Sequence, residues 1–164
     1  MSKVITGLFE SPLKATIATY RLESIGVTQN DISVVANDSY SKEDFALDEG
    51  SKTAEGGLIG AASTGIIAAL IAGFTTVGAV ATGGAGLLVA GPLVAAFAAG
   101  GAGAAAGGAI GAILGSFIPE HEIKYYEDAI AKGAVLLGVK YTSENEDDIK
   151  DMLEKAGASK VSTA

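Results

Sequence analysis

The chain has 164 residues, a net charge of −8 and no cysteine, which excludes a disulfide framework and thiol chemistry and argues against nucleic acid or an anionic lipid surface as an electrostatic partner. Hydrophobic residues make up 49% of it and 23 residues are glycine, but they are unevenly spread, and no charge occurs between Gly56 and Ile118. The flanks must therefore build a small core of their own from about 100 residues.

The opening MSKVITGLFE has one lysine, a short apolar run and then Glu10. It does not read as a signal peptide, so the expected location is the cytoplasm. Val4 to Phe9 is apolar and β-prone, a first strand. Ser11-Pro12 is an N-cap followed by proline at the first helical position, and Leu13, Ile17 and Tyr20 recur at helical spacing until Gly26 ends the helix. Asp31 to Ala36 alternates Ile32, Val34 and Ala36 with other residues, which predicts a strand with one wet face. Residues 38–55 are polar and mixed in charge, with Phe45 and Leu47 as the available anchors, and read as a linker.

The charge-free tract follows. Small residues recur every fourth position as Gly57, Ala61, Gly65, Ala69 and Gly73, and again as Gly91, Ala95, Ala99, Gly103, Gly107, Gly111 and Gly115. On a helix this spacing stacks them into one smooth stripe. Leu58, Ile66, Leu70, Val94, Phe97, Ile110 and Ile113 lie on the remaining circumference. The spacing predicts two glycine-zipper helices, about 57–80 and 92–118, joined by a turn. Each interior glycine costs about 1 kcal/mol relative to alanine, and eight fall between Gly91 and Gly115. Such helices form only where the stripes let backbones approach closely, as in small-xxx-small packing.

Beyond the tract, Pro119 opens a helix with Glu120 and Glu122 in its first turn and Ile123, Tyr126 and Ile130 on its buried stripe, closed by Gly133. Ala134 to Tyr141 is apolar on both faces, the pattern of a central strand. Ser143 and Glu146 have capping-box spacing ahead of Ile149, Met152 and Leu153, with Gly157 as the C-cap. Ser159 to Ser162 supplies a short edge strand. The resulting fold class is α+β: a ferredoxin-like split βαβ domain with the zipper hairpin inserted between strands two and three. Its parts are 1–37 and 119–164 as the domain, 38–55 as the linker and 56–118 as the hairpin.

The junction Phe117-Ile-Pro-Glu-His-Glu-Ile-Lys-Tyr-Tyr-Glu-Asp-Ala-Ile-Ala-Lys-Gly133, the apolar strand after it, and the last helix ending Leu153-Glu-Lys-Ala-Gly-Ala158 resemble the YflT-like general stress proteins of bacteria. The likeness extends over the Gly/Ala-rich centre and the Gly91-Pro92 step. It implies a stress-response association, often heat- or low-temperature-induced, with no established reaction and no catalytic residues to transfer.

His121, the only histidine, has Lys124 and Tyr125 at i+3 and i+4, so it reads as a surface residue with no metal partner. Glu144, Glu146, Asp147, Asp148 and Asp151 lack calcium-loop spacing and read as a solvated helix face. Thr82-Gly-Gly-Ala-Gly86 and Gly100-Gly-Ala-Gly103 lack the Lys-Ser/Thr or the βαβ context of a phosphate loop. No nucleophile has a base beside it, so the expectation is a non-enzyme with no cofactor and no metal.

The leading functional expectation is a stress protein that self-associates as a homo-oligomer and inserts its hairpin into a lipid bilayer at the inner face of the cell membrane. Each segment would be roughly 35–40 Å long as a helix, enough to cross a core of about 30 Å, and lysine or arginine flanks both ends but not the turn. The alternatives are a soluble homo-oligomer, as a ring, cage or filament with hairpins buried between subunits, and a small-molecule sensor built on the sheet.

Overall fold

In a computed structural model, residues 3–37, 39–40, 42–45, 87–91, 118–142 and 144–163 are described, and the structural statements below are made of them. The elements in order are β1 (Lys3–Phe9), α1 (Pro12–Ser24), β2 (Ile32–Asn37), β3 (Leu87–Ala90), α2 (Glu120–Ala131), β4 (Val135–Tyr141), α3 (Glu146–Lys155) and β5 (Lys160–Thr163), with short 3-10 turns at Gln29–Asp31 and Lys42–Phe45. The five strands form one sheet in the order β3-β2-β4-β1-β5, and each neighbouring pair is antiparallel. β1 and β2 therefore run parallel with β4 between them, and β4 and β5 run parallel with β1 between them. Among the described residues the chain is thus a mixed α+β structure of a five-stranded antiparallel sheet and three helices.

Strand alternation divides the core in two. Ile5, Phe9, Ile32, Val34, Val135, Leu137 and Val139 point to one face, where they pack with Ala15, Ala18 and Leu22 of α1, Ile149 and Leu153 of α3, and Phe45. Leu8, Val35, Val89 and Leu136 point to the other, where they pack with Ile118 and with Tyr126 and Ile130 of α2. The sheet is covered on both sides. This corrects the expectation of a wet face on β2, since Ser33 and Val35 are buried as fully as their neighbours.

All three helices close in the same way. Gly26, Gly133 and Gly157 have positive φ, and each is followed by a backbone bond back into the last turn, Val27 N–H to Leu22 O, Ala134 N–H to Ala129 O and Ala158 N–H to Leu153 O. That is the Schellman closure, which satisfies the orphaned carbonyls at a helix end. α1 opens as its sequence predicts, with Ser11 Oγ accepting from Lys14 N–H and proline in the first turn.

Two local expectations are corrected. The stripe Leu13, Ile17 and Tyr20 does not face the sheet. Leu13 is 52% exposed, and α1 instead buries Ala15, Thr16, Ala18, Thr19 and Leu22. Both faces of α1 have helical periodicity, and the smaller one wins because alanine and threonine let the helix lie close to the strands. The threonines satisfy their hydroxyls locally, Thr19 on Thr16 O and Thr16 on Pro12 O and Phe45 O. The second correction concerns α3. It has Asn145 at its N-cap with no side-chain cap bond, because the Asn145 amide oxygen accepts from Thr142 N–H and Thr142 Oγ1 instead.

The largest correction lies inside the charge-free tract. Leu87–Ala90, expected in the turn between two helices, is a strand whose residues pair with β2 in the register Val34↔Ala90, Val35↔Val89, Ala36↔Leu88 and Asn37↔Leu87. Its β-branched and large apolar residues, Leu-Leu-Val, fit a sheet edge better than a tight turn.

Candidate functional site: the junctions between the sheet and the glycine-rich tract

Of the twelve small residues expected to line the zipper stripes, Gly91 alone lies among the described residues. Gly57, Ala61, Gly65, Ala69, Gly73, Ala95, Ala99, Gly103, Gly107, Gly111 and Gly115 lie outside them. Gly91 is not on a helix. It follows β3 with φ +109, and a Cβ there would lie 2.5 Å from Ile32 O and 2.6 Å from both Ser33 Cα and Ser33 Oγ. Gly91 thus sits one position beyond the Val34↔Ala90 pair, close alongside the start of β2, in a conformation that favours glycine. Gly91, which opens the second stripe in the sequence reading, is therefore the residue that ends β3 at the sheet edge.

Three junctions tie the tract to the sheet. Phe45 is fully buried against α1, and its carbonyl accepts the Thr16 hydroxyl at 3.1 Å. Tyr40, just before it, stacks edge-on against the Phe45 ring and donates to Gly133 O at 2.8 Å. Leu87–Gly91 forms the second junction. Ile118, buried in one cluster with Val89 and the apolar side of α2, forms the third.

Sequence reasoning missed a polar cluster beside the third junction. Glu122, in the first turn of α2, accepts from Lys160 of β5 at 2.8 Å, and the Lys160 ammonium lies 5.2 and 5.3 Å from the ring centroids of Tyr125 and Tyr126. Tyr126 OH lies 3.2 Å from Ser162 Oγ. The hydrogen bond to Glu122 holds the Lys160 ammonium above the ordinary lysine range. Glu122 Oε2 is buried without a hydrogen-bond partner. The spacing that brings Glu122, Tyr125 and Tyr126 to one side is visible in the helix, but Lys160 comes from a strand about forty residues later, and only sheet register brings it there.

This cluster fastens α2 to the edge strand. Lys160→Met is expected to lower stability by about 1 kcal/mol, since a partly buried ion pair is lost and the Glu122 carboxylate loses its lysine. Because the lysine is held above its ordinary range, that contribution is complete at neutral pH and fades only as pH rises through the folded-state value. Urea midpoints of the parent and the variant, taken at neutral pH and again above the raised folded-state range of Lys160, should converge at the higher pH.

The residues sequence reasoning weighed for chemistry are solvent-facing. The His121 side chain is 81% exposed, with Nε2 4.0 Å from Glu122 Oε1. In α3, Glu146 and Asp151 pair with Lys150 and Lys155 one turn on, and Glu144, Asp147 and Asp148 face solvent. Among the described residues no group of three or more histidine, cysteine, aspartate or glutamate residues could hold a metal ion, and no helix is long and apolar enough to cross a membrane. Both candidate phosphate-loop stretches, 82–86 and 100–103, lie outside the described residues. Compared with protein-family models, with curated proteins and with solved structures, the chain matches none.

Proposed function

We propose that the chain is a non-enzymatic, self-assembling protein of the bacterial stress-response kind, in which a ferredoxin-like domain holds the glycine-rich tract as two arms and copies associate through those arms. The domain reading is supported by the strand order β5-β1-β4-β2, which is built from two split β-α-β units, with β3 added at one edge. The stress association is supported by the resemblance of the Phe117 to Gly133 junction.

The observation that carries the assembly reading is the pairing of β3 with β2. It divides the tract into an arm from Phe45 to Leu87 and an arm from Gly91 to Ile118, and both arms start and finish on the same domain. A passage across a bilayer and back needs about 40 apolar residues. The charge-free part of the first arm, 56–86, has 31 residues, and the second arm, 92–117, has 26. Neither length suffices, which favours association between copies through the arms over a hairpin that crosses the membrane with its turn on the far side. The outward side of α1, with Leu13 exposed and Ile17 and Tyr20 half-buried, offers a further apolar surface for such contacts.

A second reading is favoured by the absence of charge along the tract: the first arm embeds in a single leaflet of a membrane. Mass photometry of the purified chain without detergent, joined to flotation with vesicles of neutral phosphatidylcholine, separates the two. The assembly reading expects a discrete oligomer that stays at the bottom of the gradient. A monomer that floats with the vesicles would replace it by the membrane reading, and a monomer that does neither would contradict both.

A further inference from the structure

After β2 the chain turns sharply, with Ser39 N–H donating to Asn37 Oδ1 at 2.9 Å and Tyr40 N–H to Asn37 O at 3.2 Å. The described residues between 39 and 45 add no strand to the sheet, and Lys42–Phe45 is a single 3-10 turn. Two aromatic rings anchor this stretch. Phe45 is fully buried in the cluster beneath α1 and α3. The Tyr40 ring lies edge-on to it with centroids 6.0 Å apart, and its hydroxyl donates to Gly133 O at 2.8 Å. Gly133 closes α2, which packs on the opposite face of the sheet. The stretch therefore joins helices of both faces, at the end of the sheet where β2 finishes and β4 begins.

A strand of this sheet can leave only by breaking a ladder, whereas this stretch leaves by withdrawing two rings and with them the bonds Tyr40 OH to Gly133 O and Thr16 Oγ1 to Phe45 O. Segments held outside the ladders open at a smaller free energy than the whole fold. The two anchors are also coupled. A Tyr40 ring that swings away from Gly133 takes the edge-on partner from Phe45, and a Phe45 ring that leaves the core takes the support from Tyr40. We propose that residues 39–45 are a clasp that opens as one unit while the sheet stays paired, severing the tie between α1 and the end of α2. The chain after Phe45 leads into the charge-free tract, so the clasp is the part of the domain that first receives a load or a binding event there. This goes beyond the assembly reading and does not rest on it.

Trypsin cleavage after Lys42 reads the open clasp, because cleavage tracks the population of the opened form. Lys42 and Lys52 are the only tryptic sites between Arg21 and Lys124, so the assay uses the full-length chain carrying Lys52→Gln, with initial rates taken by mass spectrometry in native buffer. Tyr40→Phe should speed cleavage after Lys42 about fivefold, the gain in open population from one lost hydrogen bond. Gly133→Ala should speed it at least as much, because a Cβ there would lie 2.8 Å from the Tyr40 hydroxyl oxygen, the movable end of a side chain. Gly157→Ala is the control. It has the same kind of positive φ with nothing within 4 Å of the new Cβ, so it weakens the fold away from the clasp and should leave the rate within about twofold of the parent's. If Gly157→Ala speeds cleavage as much as Tyr40→Phe, Lys42 is reached by unfolding of the whole domain and the proposal is overturned. A Tyr40→Phe rate equal to the parent's overturns it as well, since the Gly133 contact would then not hold the clasp shut.

Discussion

Gly91→Ala is expected to lower stability by about 3 kcal/mol or more. Two independent effects act at this position. The φ of +109 lies where a side chain is strained, at about 1–2 kcal/mol. The added Cβ would also lie 2.5–2.6 Å from the Ile32 carbonyl oxygen and Ser33 Cα, and these are backbone atoms of a paired strand that cannot swing aside, so overpacking adds about 1–3 kcal/mol. Gly157→Ala separates the two effects. Its φ is +88 with nothing within 4 Å of the new Cβ, so it should lose only the conformational part, about 1 kcal/mol. The check is a pair of urea denaturation curves. If both alanines shift the midpoint equally, the close approach to β2 contributes nothing.

Tyr126→Ala should have a still larger effect, about 3–5 kcal/mol, the range for removing a fully buried aromatic side chain. Among the described residues Tyr126 is the largest fully buried side chain. It joins α2 to Leu8, Val35 and Leu136 of three strands and stacks edge-on against Tyr125. Tyr126→Phe keeps the ring and loses only the contact with Ser162 Oγ, so it should cost about 1 kcal/mol. Thermal unfolding followed by circular dichroism distinguishes them. Near-equal midpoints for the alanine and phenylalanine variants would show that α2 does not need its apolar face to dock.

The order of strands and helices in the two flanks was legible because short-range signals agreed. Ser11-Pro12 starts α1, glycines at 26, 133 and 157 stop the three helices, and the unbroken apolar run of β4 marks a strand buried on both sides at the centre of the sheet. What failed depended on partners far along the chain. Leu13, Ile17 and Tyr20 compete with Ala15, Ala18 and Leu22 for the sheet, and helical period cannot choose between two periodic faces. β2 was expected to be half wet because its covering helix, α2, lies more than eighty residues away. β3 was hidden for another reason: Leu87-Leu-Val-Ala90 is four residues within a continuous apolar tract, where neither alternation nor flanking polarity marks a strand. The candidate site was legible only in outline. The unusual tract and the Gly91-Pro92 step were visible, but the close approach of Gly91 to Ser33 follows from sheet register.

The central claim is that the middle of the charge-free tract is part of the sheet, so that both arms return to the domain. It is tested most directly by two engineered cross-strand pairs, Val35→Cys with Val89→Cys and Ala36→Cys with Leu88→Cys. These residues face one another in the β2–β3 register, and adjacent pairs in an antiparallel ladder alternate between about 5.5 and 4.5 Å, both within reach of a disulfide. In the full-length protein, oxidised gently inside cells before extraction, at least one pair should close within a single chain, as shown by mass spectrometry of the tryptic peptides. If both pairs stay reduced, or link only between chains, Leu87–Ala90 does not lie beside β2 and the two-arm arrangement is contradicted.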